Sequence, residues 1–310
     1  MRKDLLRRYG DKPIIAPEDM PFDCFSVFNA GATYWNGQVV LLLRVEDGTM
    51  ASNFYVAKSK DGIKFEISKE PINYPISITE ERIGKAGRFD MRITQMDGKI
   101  YCFHAASHKY GCCIGLCETE DFVNFKPIGH LSEPHNRNAV MFPEKINGLY
   151  ARLDRPFQGD GGGDAAHTYI SYSPDLEFWG RSMPLNMNDA YWAKMKNGAG
   201  AIPIKTEHGW LEIYHAVNRN CNNYIYHLGV MLLDLKDPSI VTHAPKEFIL
   251  TPETYHERIG QVPNVVFTSG ACEMPDGTLN VYYGASDNYT CLAQTTVKEL
   301  VDYCLEHPNK

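Results

Sequence analysis

Ser59-Lys60-Asp61-Gly62-Ile63-Lys64-Phe65 follows a strand-like run, Asn53-Phe54-Tyr55-Val56-Ala57-Lys58, and its plan recurs along the chain. Thr119-Glu120-Asp121-Phe122-Val123-Asn124-Phe125 and Ser173-Pro174-Asp175-Leu176-Glu177-Phe178-Trp179 share it: a polar residue, any residue, Asp, then an aromatic four positions on. Leu233-Asp234-Leu235-Lys236-Asp237-Pro238 is a degenerate fourth copy. Each copy follows a strand and reads as a repeating turn. The copies recur about every 55 to 60 residues, in the range of a propeller blade with decorated loops. About five such units fit 310 residues. A pair of β-sandwiches is the alternative, and in it the even spacing would be accidental.

The rest of the chain agrees with strands. Val39–Arg44, Ile100–His104, Gly209–His215 and Leu279–Gly284 are rich in β-branched and aromatic residues. Asn36-Gly37, Asp97-Gly98, Asn147-Gly148, His208-Gly209 and Asp276-Gly277 mark hairpin turns. Helical periodicity is confined to the ends. Thr296 to Leu305 opens with a Thr-x-x-Glu capping box, and residues 4–9 read as a short arm or helix. The expected fold is all-β: a five-bladed β-propeller over residues 1–310, with an N-terminal arm at 1–12, a C-terminal helix at 296–307, and helical character at both appendages.

Composition narrows the function. A net charge of −7, with no basic run, argues against nucleic acid, which needs a basic stripe. No run approaches the roughly 20 apolar residues of a membrane span. The N-terminal ten residues carry cations without an apolar stretch and do not read as a secretory signal. Nine cysteines, an odd number without a small-domain framework, fit reduced thiols and a cytoplasmic location. Cys112, Cys113 and Cys117 lack a second ligand pair at zinc spacing and read as buried strand residues rather than a metal site. No Gly-x-Ser-x-Gly, His-Glu-x-x-His or dinucleotide fingerprint is present.

Five segments place a charged or amide residue beside a short apolar strand: Asn29–Ala32, Leu42–Asp47, Phe89–Thr94, Arg137–Gly148 and Val262–Phe267. Asp90, between Phe89 and Met91, is either a turn residue paired with Arg88 or Arg92 or a working carboxylate. Arg44 is either a solvated cation beside Glu46 and Asp47 or a ligand-binding residue. One carboxylate among several cations, with no nucleophile motif, suits a site that handles an anion and one proton. Glu46, Asp47, Asp154 and Glu144 are candidates for the second carboxylate that an inverting hydrolase requires.

Taken in order, these segments resemble glycoside hydrolase family 130, the inverting β-mannoside phosphorylases. The match runs from about Asn29 to Ala293 and is longest at Phe142-Pro143-Glu144-Lys145-Ile146-Asn147-Gly148-Leu149-Tyr150 with Arg155-Pro156. In relatives the segment around Asp90 usually reads Glu-Asp-Pro-Arg; here Asp and Arg stand, and Phe89 and Met91 replace Glu and Pro. The resemblance implies a five-bladed propeller with its site at the central channel. It implies Asp90 as sole general acid, relaying its proton through the mannosyl 3-hydroxyl. Asn29, Arg44, Arg92, Lys196 and Asp287 match mannosyl-binding positions; Arg137, Arg155, His215 and Tyr226 match phosphate ligands. The implied reaction is reversible phosphorolysis of a terminal β-mannosyl linkage of a manno-oligosaccharide to α-mannose 1-phosphate and an acceptor sugar. Inorganic phosphate is the co-substrate, with no metal or organic cofactor. An inverting β-mannosidase and a non-catalytic mannoside-binding propeller are the alternatives on the same fold. Arg152–Asp154, Phe157 to Ala166 and His104 to Tyr110 are expected to shape the acceptor end. Leu5, Leu6 and Tyr9 suit an arm for a homo-oligomer.

Overall fold

The computed structural model describes residues 5–49, 51–157, 166–187, 189–219, 221 and 224–309. Five antiparallel sheets form a five-bladed β-propeller. Blade I comprises Ser26–Trp35, Gln38–Glu46, Ser52–Ser59 and Glu66–Ile67. Blade II comprises Gly87–Met96, Lys99–His108, Gly111–Thr119 and Phe125–His130, and blade III Asn136–Met141, Tyr150–Pro156, Tyr169–Ser173 and Gly180–Pro184. Blade IV runs Lys196–Ala199, Gly209–Arg219, Tyr224–Leu233 and Val241–His243, with Ile204–Thr206 also pairing its second strand. Blade V takes Val266–Glu273, Leu279–Ala285 and Tyr289–Thr295 from the end of the chain and Arg7–Arg8 from its beginning.

The repeated Asp is the turn between the third and fourth strands of blades I to IV. Asp61 Oδ1 accepts from the amides of Ile63 and Lys64, and Asp121 Oδ1 from those of Val123 and Asn124. Asp175 Oδ1 does the same for Glu177 and Phe178, and Asp234 Oδ1 for Lys236 and Asp237. The hydroxyl two residues before the first three adds a bond to the amide one residue after them. Blade V lacks a copy for a topological reason: its fourth strand comes from the N-terminus, so no such turn exists there.

That N-terminal segment departs from expectation. Residues 7–8 are a strand rather than a helix, because Arg7 and Arg8 ladder onto Gln294 and Ala293 and so complete blade V. Leu6 is buried in the core shared with Leu300, Val301 and Cys304, so this part of the arm is used within its own chain. The C-terminal helix forms over Val297–Leu305, with Thr296 Oγ1 accepting from the Glu299 amide and the Glu299 carboxylate accepting from the Thr296 amide. Two short helices escaped the sequence reading, Ile78–Ile83 and Tyr255–Arg258. Both carry the same Ser/Thr-x-x-Glu signal, at Ser77–Glu80 and Thr254–Glu257.

Glu257 locks the ring closure. It is fully buried and takes two bonds from Arg8, at 2.8 and 3.1 Å, and one from the Tyr283 hydroxyl at 2.8 Å. A buried carboxylate that loses its cation keeps its desolvation cost, typically about 3–5 kcal/mol. Arg8→Ala is therefore expected to destabilise the protein by about 3 kcal/mol, since Glu257 keeps its other donors. Urea denaturation measures this, and a loss under about 1 kcal/mol would mean that the ring closes without the ion pair.

The innermost strands carry the feature that makes a site. The ladder slips between Phe28 and Gly31, between Phe89 and Arg92, and between Arg137 and Val140. At each slip one residue takes a left-handed conformation: Asn29 at φ 48°, Asp90 at φ 56° and Asn138 at φ 59°. Asn and Asp tolerate this region better than other side chains. Such bulges re-aim side chains, and here they turn polar groups of three consecutive blades toward the axis. The strands approach so closely that a Cβ on Gly31 would stand 2.3 Å from the Met91 carbonyl oxygen, which accounts for the small residue after Asn29-Ala30.

Candidate active site

A cavity of about 310 Å³ is lined by Asn29, Arg44, Phe89, Asp90, Arg137, Asn138, Arg155, Tyr226, Val265, Phe267 and Asp287. All five blades or their loops contribute. Of the ten candidate site residues, seven line this cavity: Asn29, Arg44, Asp90, Arg137, Arg155, Tyr226 and Asp287. Arg92, Lys196 and His215 stand beside or behind it.

Asp90 is buried, and its Oδ1 accepts from Asn29 Nδ2 and Arg44 Nη1, both at 2.9 Å. Oδ2 has no hydrogen-bond partner among the described residues. A proton carried by Asp90 therefore sits on Oδ2, because Oδ1 already faces two donors. Arg44 is itself fixed by Glu46, through Nε at 3.1 Å, and lies over the rings of Phe28 and Phe89, 4.4 and 5.0 Å from their centroids. Burial would weaken its charge, but Asp90 and Glu46 more than offset that and hold its pKa up. Asp287, also at a positive φ of 52°, is pushed up to about 7 by burial, against the pull of Arg44 and reinforced by Asp90 and Glu46. It can exist as the neutral acid near pH 7 and then offers both a donor and an acceptor to a hydroxyl-rich ligand.

Arg92 does not touch the cavity. Its Nη1 donates to the Asp90 carbonyl at 2.8 Å, and Nε and Nη2 donate to the carbonyls of Gly200 and Ala199. Burial brings its pKa down to about 10. Its role as placed is to pin the backbone of the bulge at Asp90. On the surface side the strand is held by Arg88, which grips Glu80 at 2.7 and 2.9 Å and stacks on Tyr74. Burial raises Glu80, but Arg88 and the Ser77 and Ala86 amides outweigh it and hold the carboxylate at about 2.

The opposite wall is cationic. Arg137 and Arg155 are directly paired across blade III. Neither has a carboxylate partner among the described residues, and like charges facing each other on neighbouring strands repel. Burial and then Arg137 lower Arg155 to about 10. Lys196 shares an aromatic neighbour with them: Arg137, Arg155 and Lys196 all lie within 5.7 Å of the Phe157 ring, and Lys196 also lies 4.6 Å from that of Tyr224. Tyr226 adds a hydroxyl whose pKa burial raises, so it remains a donor at neutral pH.

His215 is fully buried behind this wall. Its Nε2 meets Arg155 Nη1 at 3.0 Å and Asn138 Nδ2 at 3.1 Å. A guanidinium only donates, so Nε2 is the acceptor and the imidazole is neutral. Burial, then Arg155 and Arg92, hold its pKa well below the usual value. In this state His215 orients Arg155 and presents no proton to an anion through Nε2.

Other expectations are corrected. Arg152–Asp154 does not shape a loop at the cavity: Arg152 and Asp154 are buried, paired at 2.9 Å, with Arg152 stacked on Trp179. Of the second-carboxylate candidates, Glu144 is half-buried and pairs with Lys205, Asp154 is held by Arg152, Asp47 caps its own turn, and Glu46 braces Arg44. None of the four lines the cavity. Most of the segment from Phe157 to Ala166 lies outside the described residues. Asn138, Phe157 and Phe267 lie in segments named in the sequence but had no individual role there; Asn138 is the third member of the bulge series with Asn29 and Asp90.

The cavity of this propeller joins Asp90, hydrogen-bonded by Asn29 and Arg44, to the paired Arg137 and Arg155, a set suited to an anion and one proton. The model of the glycoside hydrolase 130 family, described as β-1,4-mannooligosaccharide phosphorylase, matches residues 3–306, and the chain belongs to that family. It is 32% identical to β-1,4-mannooligosaccharide phosphorylase of Ruminococcus albus, over 98% of this chain and 92% of the relative. It is 34% identical to 1,2-β-oligomannan phosphorylase of a Thermoanaerobacter species, over 95% of this chain and 98% of the relative. β-1,2-Mannobiose phosphorylase of Listeria innocua, solved with β-1,2-mannobiose, superimposes with a TM-score of 0.87 at 28% identity, covering 97% and 99% of the two chains.

Proposed function

We propose that this chain is an inverting β-mannoside phosphorylase whose mannosyl unit sits at the Asn29–Arg44–Asp287 end and whose phosphate sits against Arg137, Arg155, Lys196 and Tyr226. The observation that carries it is the pairing of Arg137 with Arg155, unneutralised, in the same cavity as Asp90. An oxygen of phosphate attacks the anomeric carbon from the face opposite the acceptor. The bond to the acceptor oxygen breaks, and that oxygen takes the proton supplied from Asp90 Oδ2, directly or through a sugar hydroxyl. The products are α-mannose 1-phosphate and the shortened acceptor. Phosphate is already an anionic nucleophile, so no second carboxylate is required as base. The cations hold it in line and offset its charge, which is positioning plus electrostatics. Arg92 and His215 act one step back, fixing Asp90 and Arg155.

Hydrolysis by water would need a base; none of the four candidate carboxylates reaches the cavity, which leaves Asp287 as the only carboxylate besides Asp90 among its lining residues. All nine cysteines are free thiols, which supports a cytoplasmic location. Relatives acting on β-1,4 and on β-1,2 linkages match at similar identity, so the linkage is the open variable. Incubating the protein with β-1,4- and β-1,2-mannobiose, each with and without phosphate, tests both points. Mannose 1-phosphate is expected only with phosphate and from one disaccharide in preference. Free mannose at an equal rate without phosphate would make the enzyme a hydrolase.

A further inference from the structure

We propose that Glu212, outside the cavity, is a positioning residue for the general acid: through the Ala199–Gly200 peptide and Arg92 it holds the backbone at Asp90. This deepens the phosphorylase function proposed above and rests on it.

The chain of contacts starts at the bulge. The ladder slip between Phe89 and Arg92 leaves Asp90 without a register partner on Lys99–His108. Its carbonyl is held instead by Arg92 Nη1 at 2.8 Å. A planar peptide leaves only φ and ψ soft, so anchoring that carbonyl fixes ψ at Asp90 and the direction in which its carboxyl leaves the backbone.

Arg92 in turn hangs on blade IV. Its Nη2 donates to the Ala199 carbonyl at 3.3 Å and its Nε to the Gly200 carbonyl at 3.1 Å. The Ala199 carbonyl and the Gly200 amide belong to one peptide group, and that amide donates to Glu212 Oε1 at 3.1 Å. In a trans peptide C=O and N–H point in opposite directions, so Arg92 grips the group on one side and Glu212 on the other. Hydrogen bonds in such a series polarise one another. Gly200 lies just past the strand Lys196–Ala199, where a Cβ would stand 2.5 Å from the Ile213 carbonyl oxygen.

The fold alone gives no reason for this residue type. Glu212 is fully buried on Gly209–Arg219, between Leu211 and Ile213, and a buried carboxyl is costly unless it is hydrogen-bonded. Its Oε2 has no hydrogen-bond partner among the described residues. Burial pushes the carboxyl well above the usual range, against the pull of the Gly200 amide and Arg92. At neutral pH Glu212 is therefore the neutral acid, with its proton on Oε2 and Oε1 accepting. It serves as a hydrogen-bond acceptor and not as a counter-ion for Arg92.

Two variants test this. Glu212→Leu keeps the bulk and removes the acceptor, whereas Glu212→Gln keeps an acceptor oxygen and puts an amide N–H in place of the O–H. The readouts are kcat and both KM values for phosphorolysis of the preferred mannobiose, with Tm. The Leu variant is expected to lose about tenfold in kcat, the upper scale of one neutral hydrogen bond, with both KM values within about twofold. The Gln variant is expected to restore kcat to within about twofold of wild type. An undiminished kcat in the Leu variant, or its failure to fold beside an active Gln variant, would overturn the proposal and leave Glu212 a residue of the fold alone. An equal loss in the Gln variant would defeat it in favour of an ionised Glu212 paired with Arg92. A tenfold rise in the phosphate KM would do so by showing that Arg92 serves the cationic wall. If the wild-type protein forms no mannose 1-phosphate in the presence of phosphate, the phosphorylase function fails instead, a result that involves no variant.

Discussion

Asp90→Asn is expected to cut kcat for phosphorolysis by about 10³-fold or more while leaving the protein folded and phosphate binding intact. General acid catalysis is worth about 10²–10⁴, and an unactivated sugar oxygen is a poor leaving group, so the upper part of that range applies. Asn is the informative replacement for geometric reasons. Position 90 has φ 56°, which Asn adopts more readily than Ala. Its amide oxygen still accepts from Asn29 Nδ2 and Arg44 Nη1, so neither donor is stranded. Asp90→Ala would instead leave both unpaired and load the bulge with strain, confounding chemistry with structure. The measurement is kcat and both KM values for the Asn variant, with its Tm. A retained tenth of the wild-type kcat would remove Asp90 as the acid; a binding protein would show no turnover in either form.

Most of the cavity's lining was named through the family resemblance, carried by segments with a polar residue beside a short apolar strand. Asn29, Asp90 and Arg137 stand at the strand slips, and Arg155 is the register partner of Arg137. The turn repeat was legible for a simpler reason: each Asp side chain caps the amides two and three residues on, a local rule that sequence carries directly. The N-terminal strand was not, because its partner at Ala293 and Gln294 is almost the whole chain away and two residues hold no periodicity. The division of labour among polar residues was not legible either. Arg92 and Arg155 look alike in sequence, yet one spends its donors on backbone carbonyls and the other faces the cavity. The resemblance matches His215 to an anion site, and its Nε2 meets Arg155 and Asn138. It matches Lys196 to the sugar end, and Lys196 shares the Phe157 ring with Arg137 and Arg155. These roles are set by which blade stands opposite, which is tertiary information.

Arg137→Ala is expected to raise the phosphate KM about 10- to 100-fold, with the KM for the mannoside changed less than about threefold. One charge-assisted contact to a phosphate oxygen is worth about 1.5–3 kcal/mol, which sets that range. Arg137 is the cleaner target of the two arginines. Arg155 also donates to His215, so its loss would disturb a buried imidazole. Arg137 makes no ion pair among the described residues and directly faces Arg155 across the strands. Its removal therefore relieves repulsion instead of breaking a bond, and without phosphate the variant is expected to be as stable as the parent or slightly more so. That combination, weaker phosphate use with undiminished stability, marks a charge kept for a ligand rather than for the fold. Saturating phosphate should recover most of kcat, since the acid and the mannosyl contacts are untouched. An unchanged phosphate KM would refute the cationic wall as the phosphate site, and a loss of stability of about 2 kcal/mol or more would show that Arg137 serves the fold.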